Sequence, residues 1–154
     1  MFEQVAAAVT EALTGIDHTV EHIGSTAVPG LAAKPIIDVL AVLGRERDVA
    51  DAIKALDRHG WHHEGNGGRP GRESFTVRRD LPYQHLYVVM RGSDQHMLPT
   101  RFRDILRADG QACEQYAELK RRLAPMLTTD RVAYTEDKGK LIKSILSSHD
   151  EDAR

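Results

Sequence analysis

A single acidic residue, Asp38, interrupts the apolar run of residues 36–43, and the pair Gly24-Ser25 lies upstream of it. A carboxylate inside a buried strand needs a hydrogen-bond partner, a cation or a proton, because an unpaired charge is costly to bury. From the residues alone, two roles stay open for Asp38. It is either a structural acid paired with backbone N–H groups or a nearby cation, or a metal ligand or general base at the end of the strand.

The turn formed by Gly24, Ser25 and Thr26 has the composition of an anion-binding turn. Glycine lets the backbone approach a ligand closely, and the two hydroxyl groups add hydrogen-bond donors. If a helical turn starts there, its free N–H groups and its dipole favour a phosphate. The alternative is an ordinary strand-to-helix turn that binds nothing. Lys34, just before the apolar run, adds a cation next to this turn.

The hydrophobic pattern predicts the elements that position these residues. It predicts an N-terminal helix and a second helix capped by Asp48. Strands are predicted at residues 18–23, 36–43, 61–64, 75–79 and 85–90. The glycine-rich residues 65–71 predict a hairpin or a lid loop. The last third predicts three helices, with Asp130 as the cap of the third, and a frayed tail at residues 149–154.

Composition limits the classes of function and partner. The chain has 154 residues and a formal net charge of −2, so there is no strong nucleic-acid signal and no bulk attraction to anionic lipid. A single cysteine excludes an intrachain disulfide, which fits a reducing compartment. No apolar run has the length of a membrane span and no signal peptide is recognisable, so we expect a cytoplasmic protein with no membrane partner. The oligomeric state stays open.

Residues 20–38, VEHIGSTAVPGLAAKPIID, resemble the signature motif of the GrpB family in the nucleotidyltransferase superfamily. The resemblance continues in PGRESFTVR at residues 70–78, in HLYVV at residues 85–89 and in the C-terminal helices. It implies one α/β (α+β) domain over residues 1–148, with a small mixed sheet flanked by helices and a helical C-terminal third. It also implies a cleft for a nucleotide or another phosphorylated small molecule beside Gly24 and Ser25. Fusions of family members to dephospho-coenzyme A kinase imply a link to coenzyme A or nucleotide metabolism.

Three further cations are predicted to contact phosphate. Arg72 and Arg78 lie near the implied cleft in sequence, and a guanidinium can bind two phosphate oxygens at once. The alternative for these arginines is a solvated strand face. Lys138, at the start of the last helix, is a phosphate contact implied by the resemblance, and its alternative is an ordinary surface charge.

The resemblance also implies a divalent cation, Mg²⁺ or Mn²⁺, as cofactor. Nucleotidyltransferases hold two cations with two or three carboxylates, the first two at positions i and i+2 of one strand. Here the position two residues after Asp38 is Leu40. In the strand that the family fills with histidines, only His85 remains. Asp38 and His85 are therefore the predicted metal ligands, a pair better suited to Mn²⁺ or Zn²⁺ than to Mg²⁺, and Asp38 is the predicted catalytic residue.

Three hypotheses for function follow from these residues. The first is a nucleotidyltransferase-fold enzyme that binds a nucleotide and transfers a nucleotidyl group. The second is a catalytically degenerate module that keeps the phosphate site, because Leu40 and the absent third carboxylate remove the usual metal centre. The third is a metal-dependent phosphohydrolase that uses Asp38 and His85. The segment that runs from the Gly24-Ser25 turn to Leu40 favours binding of nucleotide phosphates over their transfer.

Overall fold

The computed structural model describes all 154 residues, which form two compact units. Residues 1–27 and 33–100 make the first unit, and residues 28–32 and 101–154 make the second. The predicted single domain over residues 1–148 stays a prediction. No helix in the structure combines the length and the apolar character that a membrane span requires.

The first unit is built on a five-stranded mixed sheet. Its strands are β1 (His18–Ile23), β2 (Ile37–Leu43), β3 (His63–Gly65), β4 (Arg72–Phe75) and β5 (Gln84–Met90). Their order is β1-β2-β5-β4-β3, and only the central β2–β5 pair is parallel. Parallel strands need a long crossover, and here it contains a helix and the β3–β4 hairpin. The predicted α/β class is confirmed.

One face of this sheet packs against two helices, α1 (Phe2–Ala12) and α2 (Val49–Arg58). Side chains alternate along β2, so every second residue enters this core. Its fully buried members are Val5, Val9, Leu13, Val39, Ala41, Leu43, Ala52, Leu56 and Trp61. Burying each large aliphatic side chain contributes about 1.5–3 kcal/mol, so this core supports the rigid platform of the first unit.

The opposite face carries a smaller apolar cluster and the candidate polar residues. Asp38 and Leu40 are on this face because they alternate with the core residues of β2. Leu40 is 1% exposed. The cluster around it consists of Ile23, Val42, Val89 and the partly buried Tyr87. Asp38 therefore lies at the end of a row of apolar side chains rather than inside the larger core.

The second unit is helical. It contains the end of α3 (Asp94–Ala108), then α4 (Gly110–Leu123), α5 (Met126–Thr129) and α6 (Arg131–Asp152). Its buried core is formed by Val28, Leu31, Leu106, Ala112, Tyr116 and Ile145. The Asp130 carboxylate accepts a hydrogen bond from the Ala133 N–H at 3.0 Å, which confirms the predicted cap of the last helix.

Two predictions near the sheet are wrong. The strand predicted at residues 75–79 is β4, which ends at Phe75. The reason is that the Arg78 N–H donates to the side-chain oxygen of buried Gln84 at 2.8 Å and so makes no strand pairing. Asp48 occupies the N-cap position of α2 without capping it, because its carboxylate pairs with Arg45 at 2.8 Å.

The predicted frayed tail at residues 149–154 stays a prediction, although α6 continues through Asp152. Side chains near its end bind elsewhere in the second unit. The His149 Nε2 atom lies 3.0 Å from a carboxylate oxygen of Asp109, and Arg101 pairs with Asp150. These contacts hold the last turns of the helix against the unit.

Candidate functional site

The parallel pairing of β2 and β5 places His85 opposite Asp38. The His85 Nδ1 atom lies 3.0 Å from Oδ1 of Asp38. The two side chains are 40% and 28% exposed, respectively, so a solute can reach them. The hydrogen bond to Asp38 raises the pKa of His85; partial burial opposes this, and the negative charge of Asp38 adds to it. With Nδ1 engaged, Nε2 is the ring nitrogen that can face a ligand.

Gly24 lies directly against the carboxylate of Asp38. Its φ angle is +75°, in the left-handed region that favours glycine. A Cβ atom at this position would collide with Oδ2 of Asp38. The residues that follow, Ser25–Ala27, form a single turn of 3-10 helix. The predicted turn and the predicted acid are therefore neighbours in space, as the sequence motif indicates.

The hydroxyl of Thr26 is occupied inside the protein. It donates to the carbonyl of Ile36 at 2.9 Å, and its oxygen lies 3.0 Å from Nε2 of His22. These contacts tie the turn to the residue before β2. Since the hydroxyl proton is already used, we leave Thr26 out of the phosphate site that we propose below.

Arg72 is a half-buried cation with no carboxylate partner. Its guanidinium carbon lies 4.3 Å from the centroid of the Tyr87 ring, in a cation–π arrangement. The Nε atom is buried and has no hydrogen-bond partner. Burial lowers the pKa of Arg72, although an arginine remains charged at neutral pH. Arg72 is thus a preformed cation whose remaining donors can bind an anion.

Sequence reasoning missed Tyr87, which connects the arginine to the Asp38–His85 pair. It lies two residues after His85 on β5, and the two ring centroids are 6.5 Å apart. Burial and then the charge of Asp38 raise the pKa of Tyr87, while Arg72 lowers it, so the phenol is a neutral donor at pH 7. Strand alternation from His85 was the signal that could have found it.

Arg78 already has a counterion. Its Nε and Nη2 atoms are each 2.8 Å from a carboxylate oxygen of Asp80. Its guanidinium also lies over the ring of Trp61, at 4.9 Å from the centroid, and Trp61 belongs to the core under the helices. The structure therefore gives Arg78 a local structural role, and we leave it out of the proposed site.

The two predicted lysines have different surroundings. Lys34 is exposed in the segment before β2. Lys138 belongs to the second unit, where its Nζ atom lies 5.9 Å from the ring centroids of Tyr116 and Tyr134. Phosphate binding by either lysine stays a prediction.

The residues present do not fit a metal centre. No group of three or more His, Cys, Asp and Glu side chains is arranged to hold a cation. Oδ1 of Asp38 is engaged by His85, and Leu40 fills the position of a second carboxylate with a buried apolar side chain. Mg²⁺ needs near-octahedral oxygen ligands, which one carboxylate and one imidazole cannot supply.

Comparison with known proteins assigns the chain to a family. The family model described as GrpB protein matches residues 1–148. The chain belongs to the GrpB family. A UPF0157 protein of Pseudomonas aeruginosa is 36% identical to this GrpB chain over 154 aligned residues. The alignment covers 94% of the chain and 61% of that relative, so the chain spans less than two thirds of the relative's length.

Solved structures resemble this GrpB fold. The crystal structure of the conserved protein GrpB from Enterococcus faecalis aligns with a TM-score of 0.77 and 31% identity, covering 96% of this chain and 92% of that one. The Cid1 poly(U) polymerase aligns with a TM-score of 0.47 and 13% identity, over 78% of this chain and 42% of that chain. The Enterococcus match confirms the fold of the GrpB chain.

Proposed function

We propose that this GrpB chain binds a nucleotide or a related phosphorylated small molecule on the sheet face that carries Asp38, His85 and Arg72. The observation that carries this proposal is Arg72, a half-buried guanidinium with no carboxylate partner. A partly desolvated cation without a counterion is costly, and a phosphate group removes that cost by accepting two parallel N–H bonds. The cation–π contact with Tyr87 restrains the position of the guanidinium for this contact.

The Asp38–His85 pair complements a phosphate at the same face. When His85 is protonated, its Nε2–H is a charged donor, and the hydrogen bond to Asp38 fixes the plane of the ring. The raised pKa of His85 increases the protonated fraction near neutral pH. Gly24 lets the backbone of the Gly24-Ser25 turn lie directly against the carboxylate of Asp38, which keeps that turn beside the pair.

Binding is favoured over metal-dependent nucleotidyl transfer. Transfer with two cations needs several carboxylates around the reacting phosphate, and this face offers Asp38 beside the buried Leu40. A phosphohydrolase with a metal on Asp38 and His85 needs further ligands as well, because the two side chains already bind each other. The chain's residues supply positive charge and hydrogen-bond donors, which bind phosphate without a metal.

Isothermal titration calorimetry with ATP, in EDTA and in Mn²⁺, tests the proposal. We expect binding that persists in EDTA and that weakens about tenfold or more in Arg72→Gln, since a charge-assisted bidentate contact is lost. Arg78→Gln is the matched control, because its guanidinium is already paired with Asp80, and we expect less than about a twofold change.

Two results would overturn the proposal. One is that ATP, ADP and dephospho-coenzyme A give no measurable heat of binding, either in EDTA or in Mn²⁺. The other is equal weakening by Arg72→Gln and Arg78→Gln. Transfer of a labelled nucleotidyl group to an acceptor, in Mn²⁺ and lost in Asp38→Asn, would replace binding with nucleotidyl transfer as the function.

A further inference from the structure

We propose that Arg69 is a second phosphate ligand, which together with Arg72 selects ligands with two or more linked phosphoryl groups over monophosphates. This inference rests on the proposed function and deepens it by naming the substrate class. Arg69 was not among the candidates from sequence analysis. It lies in the glycine-rich connection between β3 and β4, three residues before Arg72, the first residue of β4.

The backbone of this connection brings the two arginines together. The Arg69 N–H donates to the carbonyl of Asn66 at 3.0 Å, and the Arg72 N–H donates to the carbonyl of Arg69 at 3.3 Å. The connection also folds against the head group of Arg72. A Cβ atom at Gly67 would lie 3.3 Å from Arg72 Nη2 and 3.4 Å from the hydroxyl oxygen of Ser74. Consecutive turns thus fix Arg69 beside the start of β4.

The two guanidinium groups act on the same surroundings. Neither arginine has an ion-pair partner. Burial lowers the pKa of Arg72, Tyr87 raises it, and the positive charge of Arg69 lowers it further. Burial and the charge of Asp38 raise the pKa of Tyr87, the charges of Arg72 and Arg69 lower it, and the charge of Glu64 raises it, so both arginines act at this hydroxyl together with two carboxylates. The positive charge of Arg69 disfavours the charged form of Arg72, and a polyanion that contacts both arginines offsets this repulsion.

The two arginines differ in exposure, which indicates that each binds a different phosphoryl group of the ligand. Arg72 is half-buried and stacked on Tyr87, so its position is fixed and it can bind two oxygens of one phosphoryl group. Arg69 is exposed and free to extend from the connection toward a second group. A diphosphate or triphosphate presents adjacent charged groups to both, whereas a monophosphate can satisfy only the inner arginine.

Calorimetry with AMP and ADP on wild type and Arg69→Gln tests this inference. We expect wild type to bind ADP about tenfold more tightly than AMP, and Arg69→Gln to reduce that ratio to about one to two while AMP affinity changes less than about twofold. Arg58→Gln is the control, because Arg58 is an exposed arginine on α2, which packs against the opposite face of the sheet. It should keep the wild-type ratio.

The outcomes separate this inference from the proposed function. If Arg69→Gln keeps the wild-type ratio, or if wild type binds AMP and ADP equally, Arg69 is not a selective ligand, although nucleotide binding itself stands. If wild type binds neither nucleotide, the proposed function is wrong, and this inference, which depends on it, is wrong as well. Because Arg69 is exposed, its replacement should not lower the thermal unfolding temperature, and this measurement excludes misfolding as the cause of a lost preference.

Discussion

His85 and Asp38 are joined side chain to side chain across two parallel strands, with 3.0 Å between Nδ1 and Oδ1. The pair lies on the sheet face that also carries Tyr87 and Arg72. The side chains around the pair do not fit a metal centre. The group on this face whose charge changes near neutral pH is therefore the His85 imidazole, which gains or loses a proton.

Replacing Asp38 should lower the pKa of His85. In wild type, we expect the pKa to lie above the usual value of 6.5, first because of the hydrogen bond from the imidazole to Asp38. Asp38→Asn removes the negative charge and should bring the pKa down to 6.5 or below, since partial burial then acts alone. Titration of the His85 Cε1–H resonance by NMR measures both values. Identical titration curves would contradict the pairing.

The same pair should make stability depend on pH. The folded-state pKa of His85 is raised above its unfolded value, so the contribution is complete below about pH 6.5 and is lost as pH rises through the folded value. Urea unfolding of wild type and His85→Gln checks this. We expect the destabilisation by His85→Gln to be larger at pH 5.5 than at pH 8.5. A difference that is the same at both pH values would argue against the linkage.

Gly24→Ala should damage the site and the fold together. The new Cβ would meet Oδ2 of Asp38 and displace the carboxylate from His85. Gly15→Ala is a matched control, because Gly15 has a φ of +86° but no atom within 4 Å of the added Cβ. We expect about 1–2 kcal/mol of destabilisation for the control and a further 1–3 kcal/mol for Gly24→Ala. Only Gly24→Ala should also abolish the raised pKa of His85. Equal effects of the two substitutions would show that the clash is relieved without moving Asp38.

Leu40 should behave as a core residue. Leu40→Ala removes a side chain that is 1% exposed and should cost about 2–5 kcal/mol in urea unfolding. Leu98→Ala, at a site that is 46% exposed in the same unit, should change stability by less than about 0.5 kcal/mol.

Leu40→Asp tests whether the missing carboxylate can simply be restored. We expect a larger loss of stability than for Leu40→Ala, because the new charge is buried in an apolar cluster. A Leu40→Asp protein that is at least as stable as Leu40→Ala would contradict this expectation, and an unfolding temperature that rises in Mg²⁺ would show that the carboxylate restores a metal site.

The local pattern predicts strands β1, β2 and β5 and part of the candidate site. Strand β1 was predicted with its observed ends, and the buried run that contains Asp38 differs from β2 by one residue. The family motif and strand periodicity together brought Asp38 and His85 into one site. Alternation along a strand also explains why Leu40 faces the same side as Asp38. There it packs in the apolar cluster and supplies no metal ligand.

The predictions fail at residues whose side chains contact a partner across a turn or on a neighbouring strand. The Arg78–Asp80 pair and the Gln84 amide end β4 early, and neither contact leaves a periodic signal in the sequence. The stacking of Arg72 on Tyr87 depends on the pairing of β4 with β5. Arg69 depends on loop turns, for which residue type alone does not fix the direction of a side chain.

The parallel pairing of β2 with β5 has a consequence for the unfolded chain. The two halves of the site are 47 residues apart in sequence and meet only when the crossover has closed. A fragment or a partly folded chain therefore presents no complete site, so a ligand of this face binds the native state alone. Such a ligand should act as a thermodynamic chaperone, raising the unfolding temperature in proportion to the logarithm of its concentration above Kd.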